Sequence, residues 1–325
     1  MLGSKQKRNS INLIKNALGD TERRINVFEM KPPKERSPDS QYQDLLRLVL
    51  AKGERQEINN QGISCLSYFK PPDLRFDLRN GVPLILERKI SFWTKAVAEI
   101  FAMINGARTV SEFEKFGCNW WGQWATKEIC ESLGLPEGDL GAGSYGVAFH
   151  NFPTPGLPDG FNQFEALVKG LREKPYLRTH LISPWHPYFA SEFGERQVFV
   201  APCHGWLTFY VRGKRLDMCM DQRSADLPIG VPANLIQYSA LLLALAQVTE
   251  LEPGQYIHTF KNAHIYSDQI PAVKKMITRE ARYLPTMKIS DAGLRLESLF
   301  DFRSEHFEIS DYNPHPAIPG IPVAL

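Results

Sequence analysis

Cys203 has the strongest case for chemistry in this chain because of what surrounds it. It stands in Pro202-Cys203-His204, and Gln222-Arg223-Ser224-Ala225-Asp226 and Gly230-Val231-Pro232-Ala233-Asn234 follow. A thiolate is a strong nucleophile, but a free thiol ionises above neutral pH. A neighbouring cation lowers that threshold, and Arg223 can supply one. The same planar guanidinium and the Ser224 hydroxyl suit a phosphate. The Asn234 amide both donates and accepts, which reading the edge of a heterocyclic base requires. Each residue also has a plainer use. Cys203 could be a buried strand cysteine, Arg223 a solvated strand end, Asp226 a turn residue, and Asn234 the N-cap of the apolar helix that follows.

Secondary structure must hold these groups in place. Residues 198–210 and 215–220 are β-prone and joined by Arg212-Gly213-Lys214, a hairpin pattern. Residues 235–248 read as a buried helix, and 256–260 and 306–309 as short strands. Residues 62–69 read as a strand with 74–78 as its partner, ahead of the turn signal Asn80-Gly81. An amphipathic helix is expected over 41–50, and a mostly apolar one over 90–104, stopped by Asn105-Gly106. Glu99 lies inside that apolar helix. A carboxylate is costly to bury without a purpose, and burial would raise its pKa toward the range useful for general acid–base work. Residues 117–150 are Gly- and Trp-rich and expected to be irregular, and 161–171 should be helical. Helices and strands interleave without a βαβ rhythm, so the expected class is α+β.

The chain has 325 residues and 43% hydrophobic content, enough for a sizeable core. A net charge of +2 gives no global case for nucleic acid or membrane binding. The cysteines Cys65, Cys118, Cys130, Cys203 and Cys219 form no CxxC pair and no zinc spacing, so no metal is expected. Residues 1–40 are basic, then Pro-rich, and read as a flexible or loosely docked extension, with one short helix over 11–18. The longest apolar run, near 235–248, is too short to span a bilayer, which makes a soluble cytoplasmic protein the expectation.

Further segments extend the pattern. Ile257-His258-Thr259-Phe260-Lys261-Asn262-Ala263-His264-Ile265-Tyr266, then Asp311-Tyr312-Asn313-Pro314-His315-Pro316, then the terminal Pro322-Val323-Ala324-Leu325, follow the Cys203 motif in order. Together they closely resemble the thymidylate synthase family, from about residue 41 to the end. The resemblance implies a mixed β-sheet with surrounding helices and a homodimer packed sheet to sheet. It implies that Cys203 adds to C6 of dUMP, that C5 takes a one-carbon unit from 5,10-methylenetetrahydrofolate, and that folate hydride leaves dTMP.

The resemblance also assigns roles. Arg223 would hold the phosphate and stabilise the thiolate, while Asn234 would accept from uracil N3–H and donate to O4. Asp226 would bond the folate pterin, and His264 and Tyr266 the sugar 3′-hydroxyl. Glu99 would relay protons through water, and Tyr145 would help remove the C5 proton. Trp120, Trp121 and Trp124 would flank the pterin, and the tail at Ala324 would close over the ligands. His204, Gln222 and Gly230 fall in the same motifs and join the substrate and folate sites. Arg178 would reach into the partner subunit's phosphate site.

The chain departs from the family in places. Thr179 stands where a second arginine is usual, and Asn60 where the first-loop arginine falls; Arg55, Arg172 or His180 are the candidate substitutes. Ala233 replaces a Phe, Lys261-Asn262 replaces Gly-Asp, and Tyr145-Gly146-Val147-Ala148-Phe149 replaces a more polar run. These changes leave two alternatives: a hydroxymethylase, in which water traps the exocyclic methylene, and a non-catalytic nucleotide- or RNA-binding relative.

Overall fold

The computed structural model describes residues 28–57 and 62–324. The helix expected over 11–18, the position Asn60 and the terminal Leu325 lie outside them. The elements that position the site are strands β1 (Glu54–Gln56), β2 (Cys65–Phe69), β3 (Leu74–Asp77), β4 (Phe152–Thr154), β5 (Leu157–Phe161), β6 (Leu181–Ile182), β7 (Trp206–Arg212), β8 (Arg215–Asp226) and β9 (Glu252–Tyr266). The principal helices are α1 (Gln41–Lys52), α2 (Trp93–Ile104), α3 (Tyr145–His150), α4 (Gln163–Glu173) and α5 (Gly230–Val248). One seven-stranded sheet runs β1-β2-β9-β8-β7-β6, with β3 on β9. The β8–β9 pair is parallel and its neighbours antiparallel, so the sheet is mixed and the class is α+β.

Parallel neighbours need a long crossover, and α5 supplies it. Its 19 residues carry Leu235, Leu241, Leu242, Leu243 and Leu245, and nearly every side chain is buried. Fully burying a leucine contributes about 1.5–3 kcal/mol, so this helix anchors the core. By length and composition α5 passes the test for a bilayer span, contrary to the expectation that this run is too short. Its most apolar stretch, however, is 89% buried inside the protein. The helix starts at Gly230, so Asn234 lies within it and is not its N-cap.

Other sequence expectations shift for identifiable reasons. β3 pairs with β9 rather than with β2, because β9 runs 15 residues, long enough to serve both. Residues 117–150 are not wholly irregular: they hold the helices Lys127–Ser132 and α3 and a 3-10 turn at Trp121–Trp124. The hairpin is as expected, with Gly213 at φ 61 between β7 and β8. Residues 31–36 are not loose. Arg36 is buried and donates to Leu284 O at 2.8 Å and Thr286 Oγ1 at 2.6 Å, and Lys31 N–H donates to Arg79 O.

Candidate active site

Cys203 sits in the loop just before β7, not in a strand. Gly205 allows that loop to approach the core. Its φ is 95°, and a Cβ there would meet Tyr238 Oη at 2.9 Å and Phe149 Cζ at 3.0 Å. The loop's backbone is tied from two sides. Tyr145, at the start of α3, accepts on its hydroxyl the N–H of Cys203 (2.6 Å) and of His204 (3.2 Å). From β8, the Arg223 N–H donates to Cys203 O at 2.8 Å.

The Arg223 side chain folds back over the same loop. Its Nε donates to Pro202 O at 2.8 Å and its Nη2 to Ala201 O at 2.9 Å, which leaves Nη2 3.6 Å from Cys203 Sγ. The guanidinium also lies 5.4 Å from the Trp185 ring centre. The proposed neighbour is therefore in place, yet it does not win alone. Burial pushes the Cys203 thiol above its ordinary range, and Arg223 pulls it down without cancelling the shift.

His204 is stacked on Tyr145 with ring centres 4.6 Å apart, and its Nδ1 is 2.7 Å from Tyr238 Oη. Burial lowers its pKa to about 3, so the ring is neutral. Burial likewise holds the Tyr145 and Tyr238 phenols protonated.

Gln222, Ser224 and Asp226 alternate onto one face of β8, as strand geometry requires. Gln222 Nε2 donates to Ser224 O (3.0 Å) and Asn234 Oδ1 (3.1 Å), and Asn234 Nδ2 donates to Gln237 Oε1 at 2.9 Å. Gln237 in turn donates to Glu99 Oε2, and Trp120 Nε1 donates to Glu99 Oε1 at 2.6 Å. Burial raises the Glu99 pKa to about 7, against the pull of these donors. Asp226 also sits near 7 through burial, and accepts from Ile229 N–H at 3.3 Å. The turn role and a site role thus coexist there. Gly230 opens α5 next to it, and a Cβ at Gly230 would lie 3.9 Å from Asp226 Cβ.

His264 and Tyr266 share one face of β9, with ring centres 5.1 Å apart. His264 bonds Asn262 Oδ1 at 2.9 Å, and burial lowers its pKa to about 4. Gln269 Nε2 donates both to Asp226 Oδ2 and to Pro322 O, each at 3.1 Å, so the tail that carries Ala324 is latched beside Asp226. Trp121 and Trp124 pack at 5.6 Å and line a narrow cavity with Ser144, Tyr145 and Val200. Ser144 Oγ is buried there without a hydrogen-bond partner among the described residues, while Trp121 helps hold down the Glu99 pKa.

Arg178 is not brought in. It is exposed and makes no hydrogen bond or ion pair with another described residue. Two candidate substitutes are spent elsewhere: Arg172 donates to Val248 O at 2.7 Å and Glu297 O at 3.1 Å, and buried His180 bonds Lys174 O at 3.1 Å. Arg55 is exposed and paired with Glu57 at 2.5 Å. Sequence reasoning missed Gln237, Tyr238 and His258, the buried partners that orient the site. Gln237, polar and three residues beyond Asn234 in an apolar helix, was the available signal.

Comparison with known proteins assigns the chain to a family. Residues 40–324 match the family model described as Thymidylate synthase. The chain is 33% identical over 300 residues to thymidylate synthase of Saccharomyces cerevisiae, covering 86% of this chain and 95% of that protein. It is an enzyme of the C5 pyrimidine methyltransferase type. The chain belongs to the thymidylate synthase family, whose general activity is methylation of dUMP with methylenetetrahydrofolate as co-substrate.

Proposed function

We propose that this chain converts dUMP to dTMP through a transient bond between Cys203 Sγ and C6 of the base. The observation that carries the proposal is the Arg223 guanidinium, pinned by the Ala201 and Pro202 carbonyls at 3.6 Å from the thiol. A phosphate dianion held near Arg223, with the free Ser224 hydroxyl beside it, completes the nucleotide grip. Ionised Cys203 attacks C6, and C5 becomes the nucleophile. Asn234 accepts from N3–H and donates to O4. Glu99, poised near neutrality, exchanges a proton on the O4 side. The Tyr145 hydroxyl accepts two backbone N–H groups, which leaves its own proton free to face the cleft.

The folate fits the residues present. Trp121 and Trp124 would offer aromatic surface to a flat heterocycle, and Asp226 an acceptor. When bound, 5,10-methylenetetrahydrofolate supplies the one-carbon unit and the hydride. The Gln269 latch holds the tail beside Asp226, from where it would close over the ligands and exclude water.

Arg178 serves the other subunit of a homodimer packed through the open sheet face. That face exposes Leu181 and Tyr210, and no other described residue pairs with the exposed Arg178. A second reading, hydroxymethylation, is favoured by Ala233, a small, half-buried side chain beside Asn234. Incubation with dUMP and methylenetetrahydrofolate separates the two. Rising dihydrofolate absorbance with dTMP by mass spectrometry is expected. Hydroxymethyl-dUMP with tetrahydrofolate would select the second reading, and no reaction with dUMP would reject both.

A further inference from the structure

Asn234 is gripped at both ends of its amide, and the polarity of that grip follows from a fixed point. Gln222 Nε2 donates to the Ser224 backbone carbonyl at 3.0 Å, and a carbonyl can only accept. The other end of Gln222 is therefore oxygen, and His258 must donate to it from Nε2, 2.7 Å away. His258 is fully buried and held neutral by burial, so its Nδ1 accepts a hydrogen bond from the Tyr256 hydroxyl at 3.1 Å. In the other direction, Asn234 turns oxygen to Gln222 and nitrogen to Gln237. Gln237, itself fully buried, then turns oxygen to Asn234 and nitrogen to the Glu99 carboxyl.

We infer that Gln237 is a specificity-determining positioning residue that holds the Asn234 amide in the orientation that accepts uracil and refuses cytosine. The inference rests on the base-reading role proposed above. With its oxygen toward N3 and its nitrogen toward the C4 substituent on the Glu99 side, Asn234 matches uracil at both atoms. Cytosine offers a lone pair at N3 and an amino group at C4, a mismatch at both. To adapt, Asn234 would have to flip. That sets its NH2 against the NH2 of Gln222 and its oxygen against Gln237 Oε1. Gln222 cannot follow, because its oxygen would then face the Ser224 carbonyl. A buried polar mismatch of this kind is heavily penalised.

The test is kcat/KM and calorimetric Kd for dUMP and dCMP in wild type, Gln237→Leu and Gln237→Met. Both replacements remove the amide at similar volume, so either serves if the other fails to fold. The preference for dUMP over dCMP is expected to fall about tenfold or more, with most of the loss in dUMP binding. The pH limb belonging to Glu99 should also move upward, since that carboxyl loses a donor. Its other titratable neighbours, Cys118 and Tyr238, stay neutral across the range because burial raises both. Equal losses on both nucleotides with an unmoved pH limb would mean Gln237 only packs, and would overturn the inference. A wild type inert toward dUMP would instead reject the proposed function and this inference with it.

Discussion

The two ends of the cleft are built on opposite plans. At the proposed base-reading end, Tyr256, His258, Gln222, Asn234, Gln237 and Glu99 form one buried run of hydrogen bonds inside a single chain. At the proposed phosphate end, Arg223 is committed to two carbonyls and the thiol, Arg172 and His180 hold backbone, and Arg178 is exposed, with no hydrogen bond or ion pair to another described residue. Orientation can be stored in a core, because buried polar groups must satisfy one another. Cationic charge for a phosphate cannot be stored that way without a desolvation cost, so it stays at the surface, where a second subunit can meet it.

The sharpest break of this comparison is Cys203→Ala, which belongs to neither plan. Turnover should fall by roughly three orders of magnitude or more. The stable adduct with 5-fluoro-dUMP and folate should vanish from the mass spectrum. Turnover close to wild type would remove the covalent mechanism altogether.

Glu99→Gln probes the buried end and should split activity from stability. Activity should drop on the order of a hundredfold. Stability should rise at neutral pH. The folded pKa, about 7, lies above the ordinary 4.5, so between those values the native state binds more protons than the unfolded chain. Wild-type stability therefore falls as pH rises through that window, by an amount on the order of 3 kcal/mol. Melting curves should place the variant above wild type at pH 8, with the gap closing below about pH 4.5. A gap that does not change with pH would show that Glu99 is not held protonated by burial.

Arg178→Ala probes the exposed end. Loss of one charged hydrogen bond, about 1.5–3 kcal/mol, should raise KM for dUMP roughly tenfold to a hundredfold with little change in kcat. Mixing Arg178→Ala with Cys203→Ala subunits should restore roughly a quarter of wild-type sites, because heterodimers own one intact pair. No recovery on mixing would place Arg178 outside the partner's site. Tyr145→Phe probes the loop itself. Two backbone N–H groups lose their acceptor, at about 1–3 kcal/mol each, a loss of stability measurable by urea denaturation.

Much of the site was legible in the sequence wherever a residue type dictates its own chemistry. Cys203, Arg223 and Glu99 announced themselves as a thiol, a fork of donors and a carboxylate in an apolar helix. His264 and Tyr266 were placed together by strand alternation alone. Boundaries were harder. Asn234 passes for an N-cap until α5 is seen to begin at Gly230, because Gly and Pro at its start mask the helical period.

What the amino-acid order determined by itself was the inventory: a thiol, a nearby cation, an amide able to read a base edge, an aromatic patch, and a core helix apolar on every side. What the tertiary structure alone decided was polarity and access. Burial outweighs Arg223 at the free thiol, Gln237 joins Asn234 to Glu99, and β3 pairs with β9. Those outcomes depend on desolvation and on which distant groups meet, and neither quantity exists until the chain has folded.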